Sequence, residues 1–488
     1  MRWLAIHFPL LALESLASEE AGAPLAITEQ QGSRKRILMC NKAAAALGIA
    51  PGMRPGAARA LSSGVHLLPR DERRELTALE AVADWSGCFT SQVSLDPPSG
   101  ILLELAGSLR LFGGVDPLLS RLGRGLEELE YSTQRCLAPT PGGAMLLARE
   151  GRETLVRDRR MLRRMLAAVS LQWLPLERAG REALQSMGLE TLGDLLQLPG
   201  AGLGRRLGPE FMVYLERLLG QSPDPRPQFK PPERFQRRLE LPAEVGSTSA
   251  LLFAARRLIL ELAGFLGARQ AATQCLEWVL FHADGKASRF QLRLMMPERE
   301  PMRLQMLLRE RLERLTLAAP VREIGLLVEA LEPLPERPLS LFGEADVSGV
   351  TPLLLQRLQA RLGDDSLSAI QQVADHRPEH AWRKHRVSVR FTNAAGEIDV
   401  DPMFTDTGLQ RPLWLLPEPE PLLAKDGWPC WRGGRLHLAP ERERIESGWW
   451  DGEAVSRDYF IARAPGGERL WIYRELHGAR RWFLQGFF

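Results

Sequence analysis

Carboxylates and imidazoles are the side chains with which proteins hold divalent cations, and the apolar stretch Trp3–Glu14, WLAIHFPLLALE, is a candidate place for them. The run is apolar up to His7 and is closed by Pro9, which predicts a buried strand that leads into a helix. Enzymes that transfer nucleotidyl groups place metal-binding carboxylates at such a strand end. Because this strand end carries His7 and no carboxylate, the sequence argues against two-metal chemistry here.

Cysteine chemistry and membrane insertion are also disfavoured by the sequence. The five cysteines have no paired spacing, which excludes a thiolate zinc site and argues against a disulfide framework: Cys40, Cys88, Cys136, Cys275 and Cys430. No apolar run approaches the ~18 residues that a membrane span needs, and the N-terminus lacks a charged leader and a cleavage site. We therefore expect a cytoplasmic protein of several domains.

The net charge of +3 is too small to indicate nucleic-acid binding by itself. The kind of basic residue is more informative, because only six of the 63 basic residues are lysines. The planar guanidinium of arginine suits contacts with phosphate, although codon usage of the genome also explains such a bias.

Alternating strands and helices predict an α/β domain that ends near residue 168, and the pattern from Leu174 to Leu219 is wholly helical. Within the helical part, Thr191 is a candidate N-cap, and a glycine-rich turn from Leu198 to Gly204 precedes the next helix. Closely spaced glycines between short helices let backbone N–H groups face a DNA phosphate, as in a helix-hairpin-helix, and an ordinary helical turn is the alternative. The candidate contacts are Gly200, Gly202, Gly204 and Arg205.

A proline-rich linker, QSPDPRPQFKPPERF, separates this region from a second α/β unit that runs from Arg237 to Leu334. Basic and acidic residues nearly balance in that unit, so any surface that faces DNA is a local stripe. Its first strand offers Arg237 and Arg238 as candidate phosphate contacts.

Two later segments have the composition that is typical of partner-binding sequences. Glu332–Gly343, EPLPERPLSLFG, carries apolar anchors on a proline-rich peptide, which is typical of a motif that enters a pocket. Residues 376–488 hold eight of the twelve tryptophans, in a pattern that predicts short antiparallel strands. A small β core explains most of these aromatic residues, and a partner-binding surface that includes Trp414, Trp449 and Trp450 is the alternative.

Taken in order, these segments resemble the Y-family DNA polymerases. The resemblance covers residues 1–335 and rests on LGIAPGM with GAARAL, LELAGSLRLFGG, APTPGGAMLLAR and GLETLGDLLQLPGAGLGRRLG. Tail segments such as SLFG, DHRPEHAW, RPLWLLPEPEPL, ERIESGWWDG and RDYF resemble a degenerate Y-family-like protein. A bacterial mutagenesis cassette encodes that protein together with ImuA and an error-prone C-family polymerase.

The resemblance implies an α+β multidomain fold with a Y-family polymerase-like palm and fingers, a helical thumb, an α/β little finger and an aromatic-rich, β-containing tail. The expected domains are palm and fingers 1–168, thumb with helix-hairpin-helix 169–220, linker 221–236, little finger 237–335, clamp-binding linker 336–350 and C-terminal partner-binding region 351–488.

The polymerase site is degraded where the family motifs fall on this sequence. The Asp-x-Asp positions of the first strand fall on Ala5 and His7, and the aromatic sugar-gate position falls on Leu10. An imidazole cannot supply the negative charge that Mg²⁺ selects. The fingers residues that hold the incoming triphosphate fall on Lys42 and Ala45.

The second acidic motif aligns in two ways, and both are kept open. An ungapped count back from Glu104 places Ser99 and Gly100 at the acidic positions. Matching Ser94-Leu95-Asp96 instead keeps one aspartate and places Pro97 where glutamate belongs. Arg149 retains a basic side chain where the family has a lysine.

The implied function is a non-catalytic scaffold in error-prone translesion synthesis, with no cofactor and no bound metal. Its expected partners are primer–template DNA, ImuA, the error-prone C-family polymerase and the β sliding clamp, and its expected place is the nucleoid at damaged replication forks. A clamp-binding pentapeptide, Gln-Leu-Ser/Asp-Leu-Phe, is matched at four of five positions by Pro338, Leu339, Ser340, Leu341 and Phe342. Two alternatives are a translesion polymerase with an unusual metal set of His7, Asp96 and Glu104, and a DNA-binding protein unrelated to replication.

Overall fold

The computed structural model describes residues 2–16, 23–333, 350–362, 366–386 and 411–488. The chain divides into two compact units. The N-terminal unit lies within Met1–Leu339 and includes Pro352–Arg361, and the C-terminal unit lies within Ser340–Thr351 and Leu362–Phe488. Among the described residues, no helix combines the length and the apolar character needed to cross a membrane.

Strands and helices alternate through the first part of the N-terminal unit, as the sequence predicts. In chain order the elements are β1 (Trp3–His7), α1 (Leu11–Glu14), β2 (Leu25–Gln31), β3 (Arg34–Cys40), α2 (Lys42–Ala46), α3 (Pro55–Leu61), β4 (His66–Pro69), α4 (Glu72–Ser86), β5 (Val93–Asp96), β6 (Gly100–Glu104), α5 (Val115–Glu128), β7 (Gln134–Ala138), α6 (Pro141–Arg149) and β8 (Thr154–Leu155). One sheet has the strand order β5-β6-β1-β7-β8, and a smaller sheet has the order β3-β2-β4.

The first strand is the centre of the larger sheet, antiparallel to both of its neighbours. Its side chains alternate between two apolar cores, because successive residues of a strand point to opposite faces. Trp3 and Ala5 join the core that contains α6, and Leu4 and Ile6 join the core that contains α4 and α5. A strand buried on both faces reads as a continuous apolar run, which explains the sequence of this stretch.

The region that follows is helical and contains α7 (Arg159–Ala167), α8 (Arg178–Ser186), α9 (Leu192–Leu196), α10 (Gly200–Leu207) and α11 (Pro209–Leu218). The predicted N-cap at Thr191 is confirmed, since its side chain accepts a hydrogen bond from the Asp194 backbone while the Asp194 side chain bonds back. The connection between α9 and α10 is shorter than the predicted turn, because α10 begins at Gly200.

The second α/β part consists of β9 (Phe235–Val245), α12 (Thr248–Ala268), β10 (Ala271–His282), β11 (Ala287–Glu298), α13 (Pro301–Leu312), β12 (Val321–Val328) and β13 (Glu332–Pro333). The main strands form an antiparallel sheet in the order β11-β10-β12-β9. Both helices contribute to the apolar core on one face of this sheet, which leaves the other face for solvent.

The last elements are α14 (Val350–Leu362), β14 (Ser368–Gln372), β15 (Trp382–Arg386), β16 (Trp414–Lys425), β17 (Trp428–Trp431), β18 (Gly434–Arg435), β19 (His437–Ser447), β20 (Val455–Arg463), β21 (Arg469–Glu475) and β22 (Trp482–Phe487). Within the C-terminal unit, a seven-stranded sheet has the order β18-β17-β16-β22-β21-β20-β19. Aromatic side chains pack along it, with the rings of Tyr459 and Trp471 stacked at 4.4 Å and those of Tyr473 and Phe483 at 5.1 Å. The predicted antiparallel strands packed through aromatic residues are therefore confirmed.

Helix α12 packs against α4 as well as against its own sheet. The indole of Trp85 fills the space between the helices, since a β-carbon at Gly264 would lie 2.1 Å from Trp85 Cδ1. A β-carbon at Gly125 on α5 would lie 2.3 Å from Trp85 Cζ2. Glycine is therefore required on both sides of this ring, and the close approach joins the two α/β parts of the N-terminal unit.

Replacing Gly264 with alanine should destabilise the protein by about 1–3 kcal/mol, because the added methyl group forces Trp85 out of a packed site. Urea unfolding followed by circular dichroism measures the change. Gly267→Ala on the same helix is the matched control, since its β-carbon would meet Cys88 Cβ at an ordinary 3.8 Å. That control should be neutral or stabilising by up to about 1 kcal/mol from helix propensity. Equal midpoints for the two variants would contradict the proposed role of Trp85.

Candidate functional site

The C-terminal end of β1 lies beside the hairpin that joins β5 and β6. His7 pairs with Gly100 across one strand boundary, and Gly100 pairs with Asp96 across the next. The three residues thus lie side by side across β1, β6 and β5, at the C-terminal end of β1. The row places Asp96, which one of the two alignments of the second motif retains, in line with His7, with Gly100 between them.

The His7 imidazole is held by the turn of this hairpin. Its Nδ1 lies 3.1 Å from the carbonyl oxygen of Ser99 and 3.3 Å from the Ser99 hydroxyl. Burial lowers the pKa of His7 below its usual 6.5, and the positive charge of Arg149 lowers it further. The Ser99 hydrogen bond and the Asp96 carboxylate act in the opposite direction without reversing the shift. The folded protein therefore favours a neutral imidazole.

The Asp96 carboxylate is shared between two arginines. Arg149 Nη2 lies 2.8 Å from one carboxylate oxygen and Arg226 Nη1 lies 3.2 Å from the other. Arg226 also pairs with Asp224 at 2.8 Å, so the group consists of two carboxylates and two guanidiniums. We call Asp96, Arg149, Arg226 and Asp224 the charge cluster. Tyr214 lies near it, and burial raises the pKa of that phenol to about 12.

These residues do not fit a divalent cation. The Ala5 methyl group is fully buried and offers no ligand, and the oxygens of Asp96 already accept hydrogen bonds from guanidiniums. Glu104 pairs with Trp3 at the opposite end of β1, four residues or about 13 Å from His7 along the strand. The metal set of His7, Asp96 and Glu104 is therefore not brought together. Within the described part of the chain, no group of three or more His, Cys, Asp or Glu side chains could hold a metal.

The predicted triphosphate positions are exposed on the small helix α2, where Lys42 is the first residue and Ala45 follows one turn later. Ala45 has no group that could bind a phosphate. This helix is capped by Asn41, whose side chain accepts a hydrogen bond from the Ala44 backbone.

The glycine-rich segment is arranged differently from the predicted turn. Gly200, Gly202 and Gly204 are all within α10, and the Gly202 N–H donates to the Pro199 carbonyl at 2.9 Å. Gly204 packs near Met212 of α11. The prediction that three outward N–H groups lie in a turn is therefore wrong for Gly202 and Gly204, because helix hydrogen bonding begins at Pro199. Gly200 remains in the first turn of the helix, and Arg205 lies in its last turn.

The two arginines predicted to face DNA point to opposite faces of β9. Arg237 is mostly buried, pairs with Asp84 at 3.3 Å, and is therefore a wrong prediction for a DNA contact. Asp84 also pairs with Arg269 at 3.4 Å, so Arg237 belongs to the interface between α4 and the second sheet. Arg238 is 57% exposed and lies over the Phe281 ring.

Arg238 belongs to the exposed face of the second sheet, which sequence reasoning described only in part. Strand register aligns Arg289 of β11, Val279 of β10, Gly325 of β12 and Arg238 in one row. The alternating pattern of β11, in which Arg289 and exposed polar residues alternate with core residues, was the available signal. Arg289 pairs with Glu277 at 2.9 Å, so this face is charged without being purely basic.

The predicted partner-binding tryptophans of the C-terminal unit are exposed but do not share one surface. Trp414 begins β16 and pairs with Phe487. Trp449 and Trp450 follow the end of β19, an edge strand four positions from β16, with their rings 5.4 Å apart. Only Trp449 and Trp450 form a local aromatic group.

Arg377 supports the segment that carries these two tryptophans. The guanidinium bonds to Asp375 at 2.7 Å, to Asp451 at 2.5 Å and to the Glu453 carbonyl at 3.2 Å. It also lies 5.8 Å from the Trp450 ring centre. Sequence reasoning quoted the motifs DHRPEHAW and ESGWWDG separately and missed that an arginine of the first anchors the second.

The predicted clamp-binding residues Pro338, Leu339, Ser340, Leu341 and Phe342 lie outside the described residues.

Comparison with known proteins agrees with the motifs. The model of the impB/mucB/samB family matches residues 8–148. Residues 8–148 of the N-terminal unit thus resemble the impB/mucB/samB family, in a chain of mixed α/β structure whose C-terminal unit has its own sheet. Over 467 residues, the chain is 27% identical to Protein ImuB of two strains of Caulobacter vibrioides, which covers 91% of this chain and 100% of that protein. The resemblance to ImuB, the protein expected from the tail motifs, is confirmed.

Solved structures with similarity to the chain include an insertion ternary complex of Dbh DNA polymerase, with 16% identity and a TM-score of 0.39. A chimera of Dbh and Dpo4 has 16% identity and a TM-score of 0.38, and DinB from Sulfolobus solfataricus has 15% identity and a TM-score of 0.37. Each match covers 68% of this chain and 100% of the solved chain.

The His7 pKa gives a test of the site geometry. Arg149→Gln should raise the pKa of His7, because a positive charge that disfavours the imidazolium is removed. Histidine NMR titration, with the His7 resonance assigned from His7→Gln, measures this. Arg152→Gln is the control, since Arg152 pairs with Glu150 instead. In the wild type the folded pKa lies below 6.5, so this group lowers stability as the pH falls through 6.5 towards the folded value. An unchanged or lower pKa in Arg149→Gln would contradict the arrangement.

Proposed function

We propose that this protein is a non-catalytic, Y-family polymerase-like scaffold in error-prone translesion DNA synthesis and damage-induced mutagenesis. It binds primer–template DNA and the sliding clamp, and it recruits ImuA and an error-prone C-family polymerase at damaged replication forks. The observation that carries the proposal is the charge cluster, in which Asp96 bonds to Arg149 and Arg226 beside the neutral His7.

Two-metal phosphoryl transfer depends on cations that position the phosphates and stabilise both the attacking and the leaving oxygen. In the charge cluster, two guanidiniums already balance the two carboxylates. A guanidinium is permanently protonated and cannot generate the nucleophile as a metal ion does. A metal ion would have to displace an arginine from Asp96 and leave that arginine partly buried without its partner, which is unfavourable.

DNA contact is proposed through the helical region and the exposed face of the second sheet, which correspond to a thumb and a little finger. The start of α10 at Gly200 presents a helix N-terminus, and Arg205 follows on the same helix. Arg238 and Arg289 stand on the two edge strands of the second sheet, about 14 Å apart at ordinary strand spacing. That separation is similar to the ~12 Å width of the major groove, so both side chains can approach phosphates on either side of it.

Clamp binding is proposed for the linker peptide that ends in Leu341 and Phe342. These two side chains are apolar anchors worth roughly 1.5–3 kcal/mol each at full burial, and the preceding prolines reduce the entropy lost when the peptide orders. Pro338 replaces the glutamine of the pentapeptide and removes a side-chain amide, so the affinity should be moderate. The alternative is that both anchors pack on the protein itself.

Partner recruitment is proposed for the C-terminal unit. Trp449 is 79% exposed and Trp450 is 57% exposed, although neighbouring aromatic residues of the same unit are buried. Exposed tryptophans on a segment fixed by ion pairs have little conformational entropy to lose on binding, which suits a recognition surface.

A primer-extension assay combined with a binding titration tests the scaffold proposal. With Mg²⁺ or Mn²⁺ and deoxynucleotides, the protein should bind labelled primer–template without extending it, and log K should fall linearly with log salt concentration. Template-dependent extension that disappears in Asp96→Ala would overturn the proposal. A flat salt response, or strong preference for one sequence, would overturn the phosphate-contact part alone.

Two variants should separate clamp binding from partner recruitment. Leu341→Ala with Phe342→Ala should lose clamp binding in a titration while retaining ImuA and the polymerase in co-purification. Trp449→Ala with Trp450→Ala should show the reverse pattern, so each double variant is the control for the other. Both should keep the wild-type melting temperature. Retained clamp affinity in the first variant, or retained partners in the second, would show that the residues concerned have only a structural role.

A further inference from the structure

Helix α7 presents an unusually basic surface that none of the preceding functional assignments uses. Its apolar side is buried through Leu162 and Leu166. Exposed arginines occupy the remaining side and the residue before the N-cap, and they are Arg157, Arg159, Arg160, Arg163 and Arg164. We call this set the α7 arginine face. We propose that it binds the phosphodiester backbone of DNA as a second contact beside the N-terminus of α10.

The arginines of this face have no acidic partners within the described residues. The carboxylates nearest in sequence are engaged elsewhere, since Glu150 pairs with Arg152, Glu153 lies 3.9 Å from Arg135, and Asp158 caps the helix by accepting from the Met161 N–H. By contrast, Arg238 and Arg289 each lie near a glutamate. The α7 arginine face therefore carries positive charge that no carboxylate of the described residues neutralises.

This charge arrangement is unfavourable for the helix on its own. Arg159 and Arg160 are in the first turn, where the partial positive charge of the helix dipole disfavours cations. Arg160 and Arg164 are separated by four residues, and like charges at that spacing destabilise a helix by a few tenths of a kcal/mol. A local arrangement that opposes helix stability is expected at functional sites, and a bound anion would relieve both repulsions.

The dimensions and chemistry of the face fit a nucleic-acid strand. From Arg159 to Arg164 the helix rises about 8 Å, and a DNA strand carries one charge per ~3.4 Å of its axis. Several guanidiniums can therefore contact successive phosphates, with no base edge required. Arginine's fork favours paired hydrogen bonds to phosphate oxygens, and no aromatic side chain of α7 is available to stack on a base.

The location connects this face with the proposed DNA-binding region. The end of α7 contacts α9, and a β-carbon at Gly193 would lie only 2.7 Å from the Ala167 carbonyl oxygen. The N-terminus of α10 follows α9 after three residues. Only the short helix α9 and its flanking residues therefore separate the two proposed contacts along the chain. The inference rests on the proposed DNA binding of the helical region and adds a second surface that increases the affinity for DNA.

Arg160→Gln with Arg164→Gln in the full-length protein tests the inference, using fluorescein-labelled primer–template DNA across a salt series. Removing two phosphate contacts should reduce the slope of log K against log salt by about 2 and weaken binding several-fold at low salt. The matched control is Arg309→Gln with Arg314→Gln, which removes the same charge at exposed positions in and just after α13. That control should leave the slope close to the wild-type value.

The outcomes separate this inference from the proposed function. If the wild-type protein fails to bind the DNA, the proposed function is overturned and the inference with it. If the wild type binds and the α7 variant matches the control, only the inference is overturned. Polyglutamate of equal charge concentration is the second probe: if the α7 variant loses polyglutamate binding but keeps DNA affinity, the face binds an acidic polypeptide and the inference is wrong. Circular dichroism should show unchanged helix content and stability, because the substituted side chains are exposed.

Discussion

The Asp96 carboxylate and its two arginines form the interaction on which the rest of the site depends. Asp96 belongs to β5, Arg149 ends α6, and Arg226 comes from the connection between α11 and β9. The charge cluster therefore links the sheet to the chain segment that leads from the helical region to the second α/β part. In a two-metal site the carboxylates hold mobile cations, whereas here covalently attached cations satisfy them. The negative charge of Asp96 is therefore balanced by a cross-link between elements.

Other arginines are used in the same structural way. Arg257 is buried on α12, where it donates to the Leu16 carbonyl at 3.2 Å, pairs with Glu261 and also contacts Tyr131. Asp84 on α4 receives Arg237 and Arg269 from the second α/β part. Each pair lies at the contact between the two parts, where removal of one partner would leave a buried charge unpaired. Together with Trp85 they hold this contact without a large charge imbalance. An arginine-rich composition therefore does not by itself indicate a DNA-binding surface.

The sequence predicts local features well and long-range partners poorly. The buried strand at Trp3–His7, the Thr191 cap and the aromatic β core were accessible because each depends on neighbouring residues. The positions of Arg237 and Arg238 were not accessible from the sequence. The strand places the two side chains on opposite faces, and Asp84, the partner of Arg237, is 153 residues away from it in sequence. The position of the second acidic motif relative to His7 also depends on the hairpin register, which the sequence does not reveal. That register places Asp96 in the row of His7 and leaves Ser99 in the turn. The glycines of α10 were misassigned because closely spaced glycines suggest a turn, whereas tertiary packing against α11 sustains a helix.

The distribution of charge between the two proposed DNA-facing surfaces suggests a division of roles. On the second sheet, Arg289 has Glu277 at 2.9 Å and Arg238 has Glu323 at 3.8 Å, and burial raises the pKa of Glu323. Exposed pairs of this kind contribute about 0–1 kcal/mol, so phosphates can displace the glutamates at little cost but also with little gain in net attraction. We therefore expect the sheet to position the DNA rather than to supply most of the binding free energy. On α7, no such exchange is needed, and each phosphate contact releases condensed counterions. In the proposed scaffold, DNA is held without the added attraction of bound metal ions and nucleotide, and the α7 arginine face would supply attraction in their place.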